Sequence, residues 1–185
     1  MRLNDNLVTS FVYNEKEYNI NLAFDTVLDT FDVLSDNTLR DHEKAEINLE
    51  LLLNEPLEGV EAIELWNYIY DEFIDSKSSR PIEYDLNNNP MPVQEDEKEN
   101  FIDFEQDAGF IYSSFLQAYQ MDLYKLQGKL HWSLFRSLLH GLPQSTIMQR
   151  IVQIRAWKPS KGDSSEYKQQ MRELQKEYAL EEVDE

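Results

Sequence analysis

The chain has 185 residues, with 36 acidic and 17 basic side chains, and its net charge of −19 argues against free nucleic acid and anionic membranes as partners. It contains no cysteine, which excludes a disulfide scaffold, a thiolate nucleophile and a cysteine-ligated metal site. Hydrophobic residues make up 41%, enough for a folded core, while no apolar run reaches a membrane span and no signal-peptide pattern opens the chain, so a soluble intracellular protein is expected.

Taken in order, Ser10–Tyr13 and Tyr18–Leu22 place aromatic and β-branched residues on either side of the polar turn 14–17, with Tyr18, Ile20 and Leu22 alternating with polar neighbours, and predict a short β-hairpin. From Phe24 the period becomes helical: Phe24, Val27, Leu28, Phe31 and Leu34 share a side, with Asp25, Asp29 and Asp32 outside. A second helix is predicted over 39–54. A third covers 60–75, with Ile63, Trp66, Ile69, Tyr70 and Phe73 on one stripe. Residues 77–100 combine prolines, an asparagine run and an acidic block, which predicts a linker or long loop.

The second part is helical again. Predicted helices cover 103–120, then 129–140 ending at Gly141 ahead of Pro143, then 145–157. A last helix runs to about Leu180 and starts at Asp163, which stands three residues before Glu166 in the manner of a capping box. The acidic tail 181–185 is expected to fray. The expected fold is therefore mainly α with a short N-terminal β-hairpin. It comprises an acidic part (1–76), the linker (77–100) and a C-terminal helical part (101–185).

Charge is unevenly spread. Residues 1–110 hold 7 bases and 27 acids, whereas residues 111–185 hold 10 bases and 9 acids. No acid occurs between Asp122 and Asp163, and the window 124–162 contains Lys125, Lys129, Arg136, Arg150, Arg155, Lys158 and Lys161. Three arrangements fit: acidic and basic faces meeting within one molecule, the same faces meeting between copies, or a phosphate-bearing partner. Aromatic residues accompany these bases, with His131-Trp132 ahead of Arg136 and Trp157 after Arg155. Trp and Arg are enriched where proteins bind one another, although Trp132 beside Leu134, Phe135, Leu138 and Leu139 also suits a core. His131, Trp132, Arg136, Arg150, Arg155 and Trp157 are therefore the candidate protein-interaction residues. Reversing the charge of Arg136 and Arg155 is expected to abolish association and leave the fold intact.

Signals for catalysis or cofactors are weak. His42-Glu43 begins like a zinc-protease motif, but Glu46 stands where the second histidine is needed. Asp85-Leu86-Asn87-Asn88-Asn89 imitates the start of a calcium loop, yet Pro90 replaces its glycine and Asp96 its closing glutamate. Five scattered glycines make no phosphate loop, and no nucleophile motif is present. Neither enzyme activity, metal nor cofactor is expected.

Several stretches together carry a resemblance: FVYNEKEYNINLAFDTVL (11–28), RPIEYDLNNNPMPV (80–93), DFEQDAGFIYSSFLQAYQMDLY (103–124), KLHWSLFRSLLHGLP (129–143), IVQIRAWKPSKG (151–162) and KEYAL (176–180). In this order they resemble the bacteriophage "gene product fifteen" family of morphogenesis proteins, from siphophages of Gram-positive bacteria. Two positions depart from the pattern, with Gln120 where glycine is expected and Ser133 where a second bulky aromatic is expected. The resemblance implies a gene between those for the major tail protein and the tape measure protein. It also implies a tail assembly chaperone that coats or solubilises the tape measure protein and recruits tail tube subunits. Self-association or a companion chaperone subunit is implied as well, in the cytoplasm of the infected bacterium and outside the mature virion. The alternatives are a minor structural protein of the virion tail or connector, an acidic mimic occupying a DNA-binding protein, and a cryptic hydrolase.

Overall fold

The computed structural model describes residues 4–75 and 101–181. Among them the protein is mainly helical, with one two-stranded antiparallel sheet. Two compact units emerge, and the division does not follow chain order. Residues 4–75 group with Leu126–Arg136, and residues 101–125 group with 137–181. The stretch 77–100, expected as a linker, lies outside the described residues, as does most of the acidic tail.

The first unit opens with β1 (Ser10–Tyr13) and β2 (Lys16–Asn19), paired Phe11 to Tyr18 and Tyr13 to Lys16. The predicted four-residue turn is a two-residue one. Asn14 and Glu15 take φ of 48° and 64°, the left-handed pair that matches strand twist, and so Lys16 and Glu17 join the second strand. Alternation turns Phe11 inward against Tyr18, Tyr68 and Phe73 while Val12 faces out.

Three helices follow: α1 (Phe24–Ser35), α2 (Asp41–Leu53) and α3 (Val60–Ile69), with α2 packed against both others. Val27, Leu49, Leu52 and Ile69 form their shared core. Thr30 is also buried, its hydroxyl donating to the Val27 carbonyl, a position that a purely apolar stripe does not reveal. Helix α2 starts where the Glu43 carboxylate accepts the Arg40 N–H at 2.8 Å, and it ends on Asn54 at φ 54°, one of the few non-glycine residues at ease there.

The third predicted helix does not stay regular to its end. From Tyr70 to Ile74 the chain makes a π turn, closed by the Asp75 N–H donating to the Tyr70 carbonyl at 2.7 Å. The wider turn rotates the face, so Ile74 is buried and Phe73, predicted to be inward, is only half-buried. Leu126–Arg136 joins this unit through the bridge between Ala23 and His131. There the Phe24 N–H donates to the Leu130 carbonyl and the Trp132 N–H to the Leu22 carbonyl.

The second unit holds α4 (Ala108–Tyr119), all but the last residue of a 3₁₀ turn at Leu123–Leu126 that the periodicity missed, and the part of α5 (Trp132–His140) from Ser137 onward. Helices α6 (Ile147–Ala156) and α7 (Ser165–Glu177) complete it, with α6 packed against α4 and α7. Ile111, Phe115, Leu139, Met148 and Ile151 make its core. Buried Ser114 of α4 accepts the Met148 N–H at 3.1 Å and so satisfies one of the open donors at the start of α6.

Two predicted helix ends are built differently. Gly141 is not left-handed; its missing side chain makes room for the Tyr119 hydroxyl, which donates to the Leu138 carbonyl at 2.9 Å and would lie 3.3 Å from an added Cβ. At α7 the cap is Ser164, whose hydroxyl accepts the Tyr167 N–H, while Asp163 instead accepts the Ser160 N–H. A capping side chain must stand two or three residues before its donor, and Ser164 meets that spacing for the helix that forms.

Candidate interaction surface

The six residues expected to form an interaction surface fall in both units, and most have internal partners. Trp132 is 3% exposed. Its ring stacks on Phe135 at 5.7 Å and meets Phe31 edge-on at 5.6 Å, and its indole N–H donates to the Ile74 carbonyl at 3.1 Å. Arg136 donates to the same carbonyl at 2.8 Å and lies over the Trp132 ring at 5.9 Å. The carbonyl of the last residue of the π turn thus takes two donors from α5. For Trp132 the core reading is the one realised.

His131 is half-buried. Ser133 donates to its Nδ1 through both hydroxyl (2.9 Å) and N–H (3.2 Å), so Nε2 carries the proton and donates to the Val8 carbonyl at 3.2 Å. Burial lowers its pKa, because the charged imidazolium loses hydration there. The Ser133 hydroxyl supplies one of these two contacts, which an aromatic at 133 would lack while keeping the N–H.

Arg155 is the most committed of the six. Its side chain is 9% exposed and makes a two-pronged pair with Asp107, itself 1% exposed, at 2.6 and 2.9 Å. It also donates to the Phe101 carbonyl and the Tyr178 carbonyl, both at 2.7 Å, tying α6 to the chain before α4 and after α7. Reversing its charge would place an anion against Asp107, contrary to the expectation that the fold survives. Trp157 is half-buried, edge-on to Tyr167 at 6.0 Å, and its carbonyl accepts from the Gln175 amide at 2.8 Å. Gln175 also bonds the carbonyls of Ile154 and Arg155, closing the end of α6. Arg150 alone of the six is exposed with no side-chain partner among the described residues.

Outward aromatic surface lies elsewhere, at positions the charge pattern did not select. Tyr124 is 72% exposed and Leu116 45% exposed, and Tyr124 packs on half-buried Tyr112 at 5.2 Å. Tyr112 and Leu116 stand one turn apart on α4, so they and Tyr124 form an apolar outer stripe of the second unit. Helical spacing groups Tyr112 with Ala108, Phe115 and Tyr119, but nothing local distinguishes a core-facing tyrosine from one at the edge of a solvent-facing stripe.

The acids of the incomplete zinc-protease-like motif have other roles: Glu43 bonds Arg40, and Glu46 accepts the Gly59 N–H at 3.1 Å. Arg40 lowers the Glu43 carboxyl to about 2 by donating to it from side chain and backbone. Among the described residues no group of histidine and acidic side chains could hold a metal ion. The calcium-like stretch at Asp85 lies outside them. No helix among the described residues is long and apolar enough to cross a membrane.

Comparison with curated proteins gives no match, and comparison with solved structures gives none either. The family model described as Bacteriophage Gp15 protein matches residues 3–180, which takes in the described parts of both units almost entirely. With nearly its whole length matched, the chain belongs to the bacteriophage Gp15 family and is a phage structural or morphogenesis protein.

Proposed function

We propose that the protein is a tail assembly chaperone that coats or solubilises the tape measure protein and recruits tail tube subunits, without catalysing a reaction. The single observation that carries this reading is the family match over residues 3–180. The physical character of the chain supports it. An apolar helical client is covered by an apolar stripe, and Tyr112, Leu116 and Tyr124 offer the aromatic and aliphatic side chains suited to a helix-in-groove contact. The net charge of −19 keeps such a complex soluble by self-repulsion. The chaperone acts in the cytoplasm of the infected bacterium and leaves before the virion is complete.

The test is co-expression with the tape measure protein of the same phage, read by solubility and co-purification. A soluble complex with several copies per client is expected. Leu116→Asp with Tyr124→Asp should lose the client while circular dichroism stays unchanged, because both side chains are outward. A client that remains insoluble, with this protein eluting alone, would overturn simple coating. Detection of the protein at stoichiometric level in purified virions would favour a minor structural role in tail or connector.

A further inference from the structure

Helix α7 has no buried side chain. Its inner side is held to α6 by Gln175; Lys168, two turns earlier on that side, is half-buried, and from it Lys168, Arg172 and Lys176 recur every fourth residue, turning outward along a stripe about 12 Å long with Arg172 and Lys176 exposed. Glu166, Glu173 and Glu177 lie about a third of a turn away around the helix axis. Like charges four residues apart weaken an isolated helix, and among the described residues none of the three cations has an ion-pair partner. Such a ladder gains from an external anion.

The first unit supplies anions. Its described residues carry 18 acidic and 5 basic side chains. On α1 the stripe Asp25, Asp29, Asp32 runs about 10 Å, and Asp36 continues it just past the helix end. Asp25 accepts the Gly128 N–H and Asp36 accepts from Thr38, but exposed Asp29 and Asp32 have no partner among the described residues. Partial burial and repulsion from Asp32 and Asp25 hold the Asp29 carboxyl above the usual carboxylate range, a strain that a nearby cation would relieve.

We propose that the Lys168–Arg172–Lys176 ladder of one copy docks on the Asp29–Asp32 stripe of a second copy of this chain. Two such surfaces can meet reciprocally in a closed dimer or one way in a ring or filament, and the mass reached in solution separates these outcomes. The proposal deepens the chaperone reading and rests on it for its purpose, since repeated copies along a client are what such a chaperone requires. Surface pairs of this kind are individually weak and screened by salt, which makes the association concentration- and salt-dependent.

Sedimentation of the full chain without any client tests this separately from the chaperone role. The wild type should gain mass with concentration at low salt and return to monomer in high salt. Lys168→Glu with Arg172→Glu and Lys176→Glu should weaken association by about tenfold or more. Asp29→Lys with Asp32→Lys should do the same, and mixing the two variants should restore a complex, because each keeps one intact or inverted surface for the other. A wild type that stays monomeric at every concentration, a triple variant that associates like the wild type, or variants that fail to complement each other would overturn the proposal.

Discussion

Arg155 and Asp107 face each other through two hydrogen bonds of 2.6 and 2.9 Å, with side chains 9% and 1% exposed. A pair so enclosed is costly to break from one side, because the remaining charge stays buried without a partner. Arg155→Ala should therefore destabilise the protein by about 3–5 kcal/mol in urea denaturation. The double variant Arg155→Met with Asp107→Asn should recover part of that loss, since it leaves no lone charge.

Asn48 is fully buried in α2, and among the described residues neither its amide nitrogen nor its carbonyl oxygen has a hydrogen-bond partner. Replacing it with leucine, close in size, removes two unsatisfied polar atoms. Asn48→Leu should raise stability by about 1–3 kcal/mol, measured by chemical denaturation. A loss of stability would instead mean that the amide holds an interior water.

Gln120 ends α4 at φ 56°, and Glu15 occupies the hairpin turn at φ 64°. Both are left-handed positions where a Cβ is strained. Gln120→Gly and Glu15→Gly should each stabilise by about 0.5–1 kcal/mol, visible as a higher Tm. The glycine that the family resemblance led one to expect at 120 has this physical basis.

His131 is kept neutral by burial, so its folded pKa lies below the unfolded value. A base shifted downward contributes stability that is present above the unfolded pKa and lost as pH falls through the folded one. Stability should fall as pH drops below about 6.5, and His131→Gln should flatten that part of the profile. The same sign applies to Glu43, lowered to about 2: its contribution is present above the ordinary carboxylate range and lost as pH falls toward about 2. Arg40→Ala should move the Glu43 titration, followed by NMR, back up.

What was legible in the sequence is what short-range periodicity controls. Phe24, Val27 and the spacing that follows predicted α1, the aromatic and β-branched run Phe11 to Tyr13 predicted a strand, and the breaks at Asn54 and Gly141 located helix ends. These features depend on residues a few positions apart, and the chain carries them wherever it folds. The π turn at Tyr70–Ile74 escaped because a single widened turn leaves no period of its own.

The roles of the basic window were not legible. Arg136 and Arg155 look like surface residues as members of a charged, aromatic stretch, while Trp132 suits a core or a surface, and only the tertiary structure assigns the three acceptors 48 to 62 residues away, at Asp107 and Ile74. A guanidinium or an indole N–H is satisfied by whichever carbonyl or carboxylate the fold brings within 3 Å or so. The sequence alone therefore determined the helices, the hairpin and the acidic balance of the first unit. Which cations are consumed internally, and which remain for a partner, was decided by distant segments meeting in space.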